Sequence, residues 1–136
     1  YMPQTITRLN PPTLPAPSEM GYSQISIVEP GRMAYVSGQV ASRQGDEALP
    51  EDLAAQSRLA AANARAALDA LGVTPADVAM LRCYVVGLTS ETLEQVFPPV
   101  LEMLDGARPS VTGIGVEALA ADTLKVEIEL IVRLPD

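Results

Sequence analysis

Apolar residues recur along this chain at two different periods. Single-residue alternation, or a β-branched run, marks strands at 21–28, 33–40, 80–86, 108–116 and 124–132, with Ile6-Thr7 as a short first strand. Spacing of three and four marks a helix over 52–71, stopped by Gly72. A second helix opens at Ser90 and turns Leu93, Val96, Phe97, Val100, Leu101 and Leu104 inward before Asp105-Gly106 ends it. The order β-β-β-α-β-α-β-β predicts one α/β domain over 1–136: a mixed sheet with helices on one face. Residues 1–20 form a proline-rich arm. The strands carry apolar residues on both sides, so the face away from the helices needs a cover, and copies of the chain are the economical one.

Local chemistry sharpens several elements. Glu29-Pro30-Gly31-Arg32 has the residues of a type II turn, which predicts a hairpin between the second and third strands. Gly38 in Ser37-Gly38-Gln39 either lets a ligand or another backbone approach closely or marks a bulge or bend. In the first helix the inward face, Leu53, Gln56, Ala60, Asn63, Ala64, Ala67 and Leu71, is mostly small. Gln56 and Asn63 sit a heptad apart on it and need hydrogen-bond partners, which suits ties from helix to loops. Pro98-Pro99 predicts a kink or split in the second helix. A polar loop spans 41–50, and Thr74-Pro75-Ala76-Asp77 has the residue types of a helix start.

Glu127 and Glu129 stand in an otherwise apolar strand and point to one side of it. Buried carboxylates cost free energy unless partnered or used, so what they face is the central question.

Composition narrows the chemistry. A net charge of −8 with nine basic residues argues against a nucleic-acid partner, because such binding rests on Lys and Arg neutralising phosphates. The chain has no histidine, which removes imidazole acid–base chemistry, Ser-His-Asp nucleophiles and the commonest metal ligand. Nothing suggests a metal or organic cofactor. The one cysteine, Cys83, alternates with Leu81 and Val85 and reads as a packed hydrophobe. No apolar run is long enough to span a bilayer and no basic-then-apolar leader opens the chain, so the expected compartment is cytoplasmic. Gly113-x-Gly115-x-x-Ala118 imitates a dinucleotide fingerprint but lacks the chain needed for its helix and second strand.

Six segments, Gly21-Tyr22-Ser23-Gln24, Val36-Ser37-Gly38-Gln39, Gln56 with Asn63, Asp77-Val78, Arg108-Pro109 and Val126-Glu127-Ile128-Glu129, resemble in order and spacing the Rid family, also called YjgF/YER057c/UK114 or endoribonuclease L-PSP. The resemblance runs from about Asn10 to Leu134. It implies a chorismate-mutase-like fold assembled as a homotrimer, sheets inward, with ligand clefts between subunits. Well-known members hydrolyse enamines and imines to carbonyl products and ammonia. They use a tyrosine, a backbone group of the Ser-Gly-Gln segment, a water-activating glutamate and an arginine that grips the substrate carboxylate. Carried over, these are Tyr22, Gly38 and Glu127, while Glu129 is a structural partner of backbone amides or a neighbouring arginine.

The arginine position falls on Val111 or Thr112, neither of which can bind a carboxylate through charge. Gly113 stands near the place of a cysteine found in some members. Arg108 comes about ten ångström earlier along the strand, and the backbone N–H groups of Thr112-Gly113-Ile114-Gly115 offer another way to hold an oxygen. Two functions follow from the resemblance: an imine or enamine deaminase with altered preference, or a non-catalytic trimer binding a small carbonyl or carboxylate metabolite in the same clefts.

Overall fold

The computed structural model describes residues 4–17, 20–42 and 48–136. Six strands, β1 (Ile6–Leu9), β2 (Ile25–Val28), β3 (Met33–Gln39), β4 (Val78–Val86), β5 (Ser110–Val116) and β6 (Val126–Arg133), accompany two helices, α1 (Leu53–Leu71) and α2 (Ser90–Leu104). Part of the polar 41–50 loop, residues 43–47, and part of the arm lie outside the described residues.

Both helices are fixed by their ends. The Asp52 carboxylate accepts from the Ala55 N–H at 2.9 Å, and Gly72 closes α1 in the left-handed region at φ 70°. Thr89 and Thr92 cap each other at the start of α2, and Asp105 ends it at φ 50°. The helix does not split at Pro98-Pro99. The carbonyls that lose their partners belong to the exposed Glu94 and Gln95, on the side of the helix open to water. Thr74-Pro75-Ala76-Asp77 yields only a single 3-10 turn, because the strand pattern of β4 begins at once.

The main sheet has the order β3-β6-β4-β5, with only β4–β5 parallel. One face carries Leu81, Cys83, Val85, Val126, Ile128, Leu130 and Val132, all buried with Ala60, Ala64 and Leu68 of α1 and Val96, Val100 and Leu104 of α2. Each full-sized aliphatic side chain removed from water here contributes about 1.5–3 kcal/mol. The inward face of α1 is wider than the wheel predicts: Ser57, Ala61 and Leu68 are buried as well, while Leu71 is exposed. The reason is that α1 packs on α2 as well as on the sheet. Ser57 Oγ donates to the Val96 carbonyl across that seam at 2.6 Å.

Gln56 and Asn63 are ties, as expected. Gln56 Nε2 donates to the carbonyls of Pro50 and Thr123 and its Oε1 accepts from the Lys125 N–H; Asn63 Nδ2 donates to the carbonyls of Val40 and Ser42. The helix thereby fixes the loop leading into β6.

The expected hairpin between the second and third strands does not form. Among the described residues β2 pairs with β1, in a separate two-stranded ribbon, and β3 pairs with β6. Gly31 lies outside the left-handed region that a type II turn requires. Its missing side chain serves space instead: a Cβ there would overlap the guanidinium of Arg133. Arg133 is 1% exposed and donates to the carbonyls of Glu29, Pro30 and Leu134. The turn is shaped around that buried cation, which pulls it onto the end of β6 and away from hairpin geometry. The ribbon is held at the same end of the sheet by Arg8, which donates to Ser26 Oγ and to the Val78 carbonyl, and by the Ser26–Ser110 hydroxyl pair.

Candidate functional site

Cross-strand register decides what shares the sheet's open face. Arg82 lies opposite Glu129, and Tyr84 opposite Glu127; on the other side of β4, Arg82 lies opposite Thr112 and Tyr84 opposite Ile114. Residues so paired point to one side of a sheet. The face away from the helices therefore carries Arg82, Tyr84, Thr112, Glu127 and Glu129 together.

The two glutamates live in different surroundings. Glu129 Oε1 accepts from Arg82 Nη1 at 3.2 Å and, over a short contact, from the Tyr84 hydroxyl. That bond to Glu129 raises the pKa of the Tyr84 phenol, holding it protonated. Glu129 has the arginine partner the sequence suggested. Glu127, half-buried, makes no hydrogen bond or salt bridge among the described residues. It is the uncommitted carboxylate of the pair.

Gly38 explains where Glu127 sits. Val36 pairs with Leu130 and Gln39 with Ile128, so Ser37 and Gly38 together face the single residue Glu129, a β-bulge. A Cβ on Gly38 would overlap Cγ, Cδ and Oε2 of Glu127. The strand bulges, as one reading of this glycine expects, and what lies against its bare backbone is the carboxylate side chain of Glu127 where the other expects a ligand or a second backbone. Gly38 and Glu127 are brought together by the fold.

The other candidates are placed elsewhere within one chain. Val111 pairs with Leu81 and packs against the helix-side core, whereas Thr112 is exposed on the face that holds Glu127. Gly113 lies on Val111's side, where an added Cβ would meet nothing within 4 Å. Arg108 precedes β5 and lines a surface groove with Gln4, Arg8 and Asp77. Ile114, in the same rank as Glu127, is six residues further along, about 20 Å at strand rise. Tyr22 is half-buried near the same end, since the next residue, Ser23, donates its N–H to the Pro109 carbonyl at 3.0 Å and bridges to Ser110. Within one chain Tyr22 and Arg108 stand at the start of β5 and Glu127 towards its far end.

Arg82 and Tyr84 were not singled out from the sequence, although the signal was present. They occupy the positions between Leu81, Cys83 and Val85 in β4, so the alternation that buries Cys83 turns them to the open face.

Residues 13–134 match the family model described as endoribonuclease L-PSP. The chain belongs to the Rid (YjgF/L-PSP) family. A Rid-family structure from Yersinia pestis, YyfB, is 34% identical over 96% of this chain and 100% of its own, with a TM-score of 0.89. A YjgF/YER057c/UK114 member from Mycobacterium tuberculosis is 28% identical over 94% and 98%, with a TM-score of 0.63. Escherichia coli TdcF with bound serine is 26% identical over 82% and 87%, with a TM-score of 0.64. Among curated protein sequences there is no match. This Rid chain shares the mixed sheet and two helices of these structures, and no helix among its described residues is long and apolar enough to cross a membrane.

Proposed function

We propose that this Rid protein hydrolyses small enamines or imines to carbonyl products and ammonia, as a chorismate-mutase-like homotrimer whose inter-subunit clefts contain Glu127. The observation that carries the reading is the uncommitted Glu127 carboxylate resting on the Gly38 backbone, beside a Glu129 already engaged by Arg82 and Tyr84. A carboxylate so placed takes a proton from water as the water oxygen bonds to the imine carbon. The proton then passes to nitrogen, and as the C–N bond breaks the carbinolamine hydroxyl gives its remaining proton to the same carboxylate, so that the carbonyl forms and ammonia leaves. In the trimer, Tyr22 and Arg108 reach a neighbour's Glu127 across the interface, which their separation within one chain requires. Thr112 and Gly113 line the same cleft. Val111, turned to the core, shapes the strand from behind. The reaction needs no metal or organic cofactor. The acidic balance disfavours RNA as substrate, and the buried lone Cys83 suits the reducing cytoplasm.

The test is ammonia release from imines generated in situ, both carboxylate-bearing and uncharged. Wild type should exceed the spontaneous rate, and Glu127→Gln should lower kcat by roughly 10²- to 10⁴-fold. An unchanged spontaneous rate across the whole panel ends this reading.

The absence of an arginine at Val111 or Thr112, with the likeness to serine-bound TdcF, favours a second one: a non-catalytic trimer that binds a small carbonyl or carboxylate metabolite. Such a ligand must raise the melting temperature of the wild type, because it prefers the native state.

A further inference from the structure

We propose that Arg82, held by Glu129, is the cationic half of the Glu127 site and makes it select zwitterionic ligands over simple anions or cations. This rests on the reading that Glu127 marks the site. Arg82 is diagonal to Glu127 across β4 and β6, offset by one two-residue step of about 7 Å along the strands. Its only hydrogen bond among the described residues is the 3.2 Å donation from Nη1 to Glu129 Oε1. A guanidinium has five N–H donors in a planar fork suited to two-point contact with a carboxylate. One donor is used to aim the group, and the others are left for a ligand. The side chain is 39% exposed, and its other cross-strand neighbour is the small, exposed Thr112, which leaves room beside it.

The charges of the cluster set the ligand class. Arg82 contributes one positive charge, Glu127 and Glu129 one negative charge each, and Tyr84 stays neutral because its bond to Glu129 raises its pKa. A lone anion meets Glu127 and a chain of net charge −8. A lone cation is drawn to Glu127 but leaves the other donors of Arg82 unused. A molecule with a carboxylate at one end and a protonated nitrogen at the other satisfies both, with the carboxylate on Arg82 and the nitrogen near Glu127. Amino acids and 2-iminio acids have that form. Glu129 and Tyr84 act here as positioning residues: they contact Arg82 or its partner and fix the direction of the fork.

Calorimetric titration of the intact protein with alanine, propionate and ethylamine tests this directly. Wild type should prefer alanine, and Arg82→Gln/Glu129→Gln, which removes the Glu129 charge together with that of its partner, should weaken alanine by roughly 10- to 100-fold and abolish the preference. Tyr84→Phe should weaken alanine less, with its melting temperature preserved. In turnover, the double variant should raise KM for a carboxylate-bearing imine by a larger factor than KM for an uncharged one. No alanine binding by wild type at millimolar concentration, equal loss for all three probes, or dissociation of the oligomer by light scattering alongside lost binding would each overturn the proposal. If wild type binds alanine but hydrolyses neither imine, the hydrolase reading fails while the assignment of Arg82 stands.

Discussion

Glu127 and Glu129 are two residues apart on one strand and share its open face, yet only their neighbours give them different work. The split was half legible in the sequence. Alternation puts both on one side, and a resemblance separates their roles, but the partners of Glu129 come from β4 through a register that no local pattern states. Cys83 is the clearer case. Alternation with Leu81 and Val85 marked it as core, and burial raises its thiol to about 12 from an ordinary 9.0. The native thiol should therefore resist alkylation at pH 8 and react only on unfolding. The sign for stability follows from the folded pKa being the higher one. The contribution is intact below pH 9 and is lost as pH rises from there to about 12. Chemical denaturation across that window should show a falling stability whose slope is shallower in Cys83→Ala. It should not vanish, because the raised Tyr84 pKa acts in the same direction.

At the scale of elements, the helices and the four strands of the main sheet were readable because caps and periodicity are local signals. The pairing of β2 was not. A Pro-Gly turn between two strand-like runs is an ordinary hairpin signal, and here it is overridden by an arginine a hundred residues away. Arg133 ties Glu29 and Pro30 to the end of β6, and nothing in the run Ile131-Val132-Arg133-Leu134 distinguishes a buried arginine from a solvated strand end. Arg133→Met should leave those carbonyls unsatisfied and cost about 2–4 kcal/mol, read as a lower denaturation midpoint. The secondary-structure content should change little, since β3 and β6 keep their ladder.

For the whole molecule, the question is what covers the open face. Tyr35 projects from it 76% exposed, in the same cross-strand row as Ile131 and Met80, while Ile25 and Ile27 of the ribbon are exposed as well. The sequence foretold this two-sidedness, since its strands are apolar on both faces, but one chain can only show the uncovered side. The proposed trimer predicts that Tyr35→Lys converts the protein to monomers by light scattering, with an unchanged circular dichroism spectrum. A wild type that is already monomeric would remove the shared clefts.

The bulge at Ser37-Gly38 has a further use as a point of separation. Two residues there stand against one on β6, so removing Ser37 brings the ladder to equal count: Val36 keeps Leu130 and Gln39 keeps Ile128. Deletions inside a strand ordinarily turn every later side chain inside out. This one does not. It should give a folded protein with an intact core in which the bulged backbone that Glu127 rests on has straightened. Shortening the chain by one residue thus offers a shape-matched blank for every binding and turnover measurement above.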